Sequence, residues 1–209
     1  MRAALFTSVS GNIAELAALT VANKLEYCLR HGYSLHVDNQ PYEQAVAAMA
    51  NLTGLLDVYD LVWSLDADAV ITDMGTPFHE LPCLGPHVTA CEEGIVDWNL
   101  INCGSVVWRN TPQARHLLTG ITVDEAAWRP LPCGWQTWLG ILAAARPEWV
   151  TVAPVASFNS CEWTHPGGGH GEPGSHWKPG HLVWHPCGVF PMARRLELVR
   201  DALQAKVTR

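Results

Sequence analysis

Apolar residues fall along this chain in short runs broken by polar, Gly-marked or Pro-marked segments, and their spacing alternates between strand-like and helix-like. Residues 3–9 form an apolar run of the length of a buried strand. Ser10-Gly11-Asn12 then makes a turn whose Asn is placed to cap a helix. Ile13, Leu16, Ala17, Leu19, Thr20, Asn23, Lys24, Tyr27 and Cys28 recur at helical spacing, and His31-Gly32 supplies a glycine stop. Residues 34–38 read as a second strand, the Ala-rich residues 42–52 as a helix, and residues 58–65 as a third strand. The first third is therefore βαβαβ, a pattern that predicts a parallel sheet with helices on both faces and its polar loops gathered on one edge.

Further along, residues 87–91 and 99–108 read as strands, the second with Gly104 inside an apolar run, where a glycine often marks a close approach to the backbone. Thr111-Pro112 opens a helix by the cap-and-proline rule, and residues 133–145 form another with Gln136 near its start. Residues 149–155 and 181–185 read as strands and residues 192–206 as a closing helix. Between them runs a Gly-, Pro-, His- and Trp-rich stretch, residues 161–180, long enough to be either a functional loop or a disordered one. The whole reads as a single α/β domain over residues 1–209, with a mostly parallel central sheet.

The chemistry concentrates after the third strand, in Leu61-Val-Trp-Ser-Leu-Asp-Ala-Asp68. If the strand continued through them, Asp66 and Asp68 would share one face at its carboxyl end, where α/β sheets bind ligands. Two clustered carboxylates with open positions suit Mg²⁺ or Mn²⁺ carrying a diphosphate, while the plainer reading is that they cap a turn. As crevice residues both are expected to be exposed and of little weight in folding. A net charge of −7 disfavours a broad basic surface for nucleic acid. The first ten residues lack the pattern of a signal peptide, and no apolar run is long enough to span a bilayer, so a soluble, cytoplasmic protein with no membrane partner is expected. Seven cysteines with no Cys-x-x-Cys pair read as reduced, mostly buried thiols.

Five stretches occur in one order: Asn23-Lys-Leu-Glu-Tyr-Cys-Leu-Arg-His-Gly-Tyr33, Trp63-Ser-Leu-Asp-Ala-Asp-Ala69 with Thr72-Asp-Met74, Leu100-Ile-Asn-Cys-Gly-Ser105 with Arg109-Asn110, Gly134-Trp-Gln136, and His185-Pro-Cys-Gly188. In this the chain resembles the galactosyl/xylosyltransferase family that includes yeast mannan and plant xyloglucan enzymes. The resemblance implies a GT-A, Rossmann-like glycosyltransferase that moves a sugar from a nucleotide diphosphate sugar, a UDP-sugar first, to an acceptor hydroxyl with retention. It implies Mn²⁺ or Mg²⁺ held by Asp66, Asp68 and His185, with Gly188 admitting phosphates. By the same resemblance Asn102 and Gly104 face the donor sugar and Gln136 lies near the anomeric carbon. The crevice rule adds Thr7 and Ser8 beside the nucleotide. A glutamine is a poor nucleophile, so front-face substitution is favoured, with Asp97 and Glu92 the carboxylates a double displacement would recruit.

The chain departs from the family pattern at Phe190, where a lysine is expected, leaving phosphate charge to Arg194 or Arg195. Trp135 stands where an acid often precedes the glutamine. The secretory members' membrane anchor is lacking, which points to a bacterial host cell or a virus-infected cell. The acceptor is then a glycan or glycoside, or a hydroxymethylated base in phage-type DNA stacked on Trp163 or Trp177. His165, His170 and His176 read as a solvated or acceptor-side tract. Rival readings are a sugar-nucleotide phosphohydrolase or nucleotidyltransferase, and a sugar-binding module without turnover.

Overall fold

The computed structural model describes residues 1–39, 45–93, 100–161, 177–187 and 191–205. Asp97, Trp163, Gly188, Phe190 and the histidines at 165, 170 and 176 lie outside the described residues. Strand β1 (Ala3–Ser8) leads through a 3-10 turn, Gly11–Ile13, into α1 (Ala14–His31). The helix therefore starts from Ile13 rather than Asn12, and it stops as expected at Gly32, whose φ of 71° is the left-handed conformation that favours glycine. Then come β2 (Ser34–Asp38), α2 (Ala45–Leu55) and β3 (Leu61–Leu65). β3 begins later than the apolar run does because Val58 and Tyr59 donate back to the Leu55 carbonyl, closing the end of α2.

The chain continues through β4 (Val70–Ile71), β5 (Val88–Glu92), β6 (Ile101–Arg109), α3 (Pro112–Val123), α4 (Glu125–Trp128), α5 (Trp135–Ala145), β7 (Val150–Ala153), β8 (Ser160–Cys161), β9 (Val183–His185) and α6 (Met192–Ala205). Six strands form one sheet in the order β2-β1-β3-β6-β5-β7, in which β6 runs antiparallel to both neighbours and the other pairs are parallel. The α/β, mostly parallel expectation holds. Alternation along the strands sends Phe6, Val62, Val106 and Trp108 to one face, packed with Leu52 of α2 and Leu118 of α3. Leu5, Leu61, Trp63 and Val107 go to the other, against Tyr27 and Cys28 of α1.

Two features have no counterpart in the periodicity. A second sheet, β4-β9-β8, brings the end of β9 beside β4, and α6 packs Leu196 and Val199 against Leu16, Val70 and Trp184. The β5–β6 ladder also jumps from Ala90 opposite Val106 to Cys91 opposite Asn102. Cys103, Gly104 and Ser105 therefore have no partner in β5, which releases the backbone N–H groups of Cys103 and Gly104 for side chains.

Candidate metal centre

Asp66 and Asp68 lie beyond the end of β3, in a turn closed by the Ala69 N–H donating to the Asp66 carbonyl at 3.1 Å. They are not on a strand, so the one-face argument does not apply: the turn, not the pleat, brings them together. It is docked to β6 by the Asp66 N–H, which donates to the Gly104 carbonyl at 2.7 Å.

One face of α1 holds this turn and the segment after it by the backbone. The Thr20 hydroxyl donates to the Ala67 carbonyl, and Lys24 Nζ donates to the carbonyls of Ala69 at 2.8 Å and Ala67 at 3.4 Å. Asn23 does both jobs of an amide, donating to the Ile71 carbonyl at 2.9 Å and accepting the Ile71 N–H at 2.8 Å. Tyr27 extends the clamp, its hydroxyl donating to the Thr76 carbonyl and accepting the Phe78 N–H. Thr20, Asn23, Lys24 and Tyr27 are three or four apart and so project from one side of the helix. Burial lowers the Lys24 ammonium to about 7, against the opposing pull of Asp68 and Asp66. The helical spacing of these residues was legible in the sequence; that their polar groups grip the Asp turn was not.

Asp68, Asp66 and His185 form a cluster that can hold a metal ion, their ligand atoms all within 4.8 Å of one another. His185 Nε2 lies 3.2 Å from Asp68 Oδ1 and 3.5 Å from Asp66 Oδ2. Only Asp66 is exposed as expected; Asp68 is buried between His185 and Arg195, whose Nη1 is 3.0 Å from Asp68 Oδ2. Burial by itself would raise the Asp68 carboxyl, but His185, Arg195 and Lys24 outweigh it and hold it at about 2. Burial likewise works against a charged His185, and the two carboxylates override it, raising its pKa.

A chain of hydrogen bonds decides which way the imidazole faces. The Gly104 N–H, freed by the break in the ladder, donates to Asn102 Oδ1 at 2.8 Å. That oxygen also accepts from Asn159 Nδ2 at 2.9 Å, so Asn159 turns Oδ1 towards His185 Nδ1, 3.0 Å away. Nδ1 must then carry the proton, and in the neutral ring Nε2 directs its lone pair at the carboxylates. Two carboxylates and one imidazole so oriented fit a divalent cation. Gly104 is required for a steric reason as well: a Cβ there would run into the His185 ring. The close approach at this glycine comes from a protein side chain.

The same network runs on towards Gln136. Asn102 Nδ2 donates to Glu93 Oε2 at 3.2 Å, and Gln136 Nε2 donates to that oxygen at 3.1 Å. Gln136 Oε1 accepts the second freed backbone donor, Cys103 N–H, at 2.9 Å. Of the two carboxylates the sequence offers for a double displacement, Asp97 lies outside the described residues and Glu92 is turned outward, while Glu93, which the sequence reading does not name, makes these contacts. Glu93 lies one residue beyond the end of β5, so strand alternation carried no signal for it.

Thr7 is buried at the end of β1, and among the described residues its hydroxyl has no hydrogen-bond partner; Ser8 beside it is half-buried. Trp177 packs against the Leu16 and Trp184 cluster and donates through Nε1 to the Thr72 hydroxyl at 2.9 Å. No helix among the described residues is long and apolar enough to cross a membrane.

No family model matches the chain, and no curated protein matches it in sequence. Solved structures do. It is similar to a glycosyltransferase involved in glycosylation of the major capsid of PBCV-1, with a TM-score of 0.73 at 17% identity over 96% of this chain and 100% of that one. It is also similar to the galactosyltransferase LgtC in complex with donor and acceptor sugar analogues, at TM-score 0.56 and 16% identity over 98% and 96% of the two chains. Mouse xyloside xylosyltransferase 1 gives TM-score 0.55 at 11% identity over 91% and 100%. The chain thus has the GT-A fold that these glycosyltransferases share.

Proposed function

We propose that this protein is a glycosyltransferase that moves a hexose or pentose from a nucleotide diphosphate sugar, a UDP-sugar first, to an acceptor hydroxyl with retention. The observation that carries the reading is the convergence of Asp66, Asp68 and a tautomer-fixed His185 in a GT-A fold. These three residues would hold a divalent cation, which supplies neutralisation of the negative charge that develops on a departing diphosphate. The buried hydroxyl of Thr7 at a strand's carboxyl end, without a partner among the described residues and with Ser8 beside it, supports nucleotide binding there.

Asn102, Gly104, Gln136 and Glu93 would line the donor-sugar side. Gln136 serves to position: its amide joins the Cys103 N–H to Glu93 and is chemically unsuited to attack. The Glu93 carboxylate, which accepts from both Asn102 and Gln136, would supply negative charge to an oxocarbenium-like centre bound beside them. For the acceptor, a glycan or glycoside is favoured over a hydroxymethylated DNA base. The net charge of −7 disfavours a polyanion, the ring of Trp177 is engaged in packing, and the structurally similar PBCV-1 enzyme is involved in glycosylation of a capsid.

The test is a thermal-shift screen against nucleotide sugars with and without Mn²⁺, because binding to the native state raises the melting temperature. A shift that needs both metal and one donor is the expected result. Stabilisation by no donor at any metal concentration would overturn the reading in favour of a fold retained without this activity.

A further inference from the structure

Asp68 presents both carboxylate oxygens to cationic groups, Oδ1 to His185 and Oδ2 to Arg195. Arg195 stands in the first turn of α6, whose other arginines, Arg194 and Arg200, are about half exposed and pair with Glu197 and Glu15 at the surface. The side chain of Arg195 is only 12% exposed. Its placement at the rim of the centre comes from the helix, since Leu196, Leu198, Val199 and Ala202 seat α6 against Leu16, Val70 and Trp184. The charge balance gives this cation a use. Two carboxylates and a divalent cation sum to zero, so the loaded triad alone offers no net charge to a dianionic diphosphate. Lys24, the other cation close by among the described residues, is fully buried with its ammonium committed to the Ala67 and Ala69 carbonyls.

We propose that Arg195 is a diphosphate-binding residue, resting on Asp68 when no donor is present and turning its guanidinium fork to the diphosphate oxygens when one binds. The inference rests on the donor reading above and adds the residue that supplies the missing positive charge. A planar fork suits two phosphate oxygens at once in a way that an ammonium does not.

The test is calorimetric titration of wild type, Arg195→Gln and Arg195→Lys with Mn²⁺ alone, and then with UDP, GDP and ADP at saturating Mn²⁺. Arg195→Gln is expected to bind Mn²⁺ alone as tightly as wild type or more tightly, because a positive charge has left Asp68. Its affinity for the nucleoside diphosphate that wild type prefers should fall about 10- to 100-fold, as for loss of a charge-assisted hydrogen bond. Arg195→Lys, which keeps the charge and guards against a folding defect, should recover part of that loss. Unchanged diphosphate affinity in both variants overturns the inference alone, as does a parallel loss of Mn²⁺ affinity, which would reduce Arg195 to orienting Asp68. If wild type with Mn²⁺ binds none of the three diphosphates, the donor reading itself falls, and the inference with it.

Discussion

The Asp66–Asp68 turn is held between two walls that do different work. On the α1 side, Thr20, Asn23 and Lys24 reach the segment through backbone carbonyls and an N–H, with the aspartates acting on this wall only through the charge of Lys24. On the β9 and α6 side, His185 and Arg195 bind the carboxylates themselves. The first wall sets where the turn is, and the second sets what it can do. Stability and ligand affinity should therefore separate when the walls are changed one at a time.

The largest effect should come from Asp68→Asn, which keeps the shape and removes a charge. Metal-dependent transfer should fall by about 1000-fold, in line with losing a principal electrostatic contributor, in a steady-state assay with the donor found by the thermal screen. Retention of more than a tenth of the activity would show that the side-chain wall is not where the chemistry lies. Next comes Asn23→Ala, which strands a buried N–H and a carbonyl of Ile71 and should cost about 3 kcal/mol in denaturant unfolding. Its folded form should still bind Mn²⁺ within about threefold of wild type, since this is ordinary for a remote change. A large drop in affinity would merge the two walls into one.

Asn159→Ala tests the reverse. It removes the anchor of His185 Nδ1, and Mn²⁺ affinity by titration should weaken about 10- to 100-fold, as outer-shell partners typically do. The smallest effect is on acid stability of the metal-free protein. The Asp68 carboxyl is held at about 2 against an ordinary 3.8, so its contribution is complete above pH 4 and is lost as pH falls through 2. Urea midpoints measured between pH 4 and 2 should fall more steeply for wild type than for Asp68→Asn, and parallel curves would remove the electrostatic role assigned to the pair.

Asp68 also corrects an expectation. A crevice carboxylate is expected to be exposed, yet the Asp68 side chain is 10% exposed and carries two cationic partners. Its neighbour Asp66 is 57% exposed and fits the simpler picture. Two aspartates one residue apart differ this much because a turn, unlike a strand, places successive side chains in unequal surroundings. The sequence offered no way to tell a continued strand from a turn at this point: the apolar run ends at Leu65 and both outcomes begin with the same residues.

What the sequence determined by itself is whatever rests on local period and on steric punctuation. The βαβαβ opening, the Gly32 stop, the Thr111-Pro112 start and the doubly covered sheet follow from spacing and from the conformational limits of Gly and Pro, which act over a few residues. The Asp66, Asp68 and His185 cluster was nameable from the family resemblance that the ordered motifs carry, but its assembly was not. Asn23 and Ile71 are 48 positions apart, Asn102 and Asn159 are 57 apart, and Asp68 and Arg195 are 127 apart. No local period encodes such pairings. Only the tertiary structure, through a three-stranded sheet that places β9 beside β4 and a ladder break that frees two amide groups, decided that His185 would turn Nε2 to the aspartates and that Glu93 rather than Glu92 would join the site.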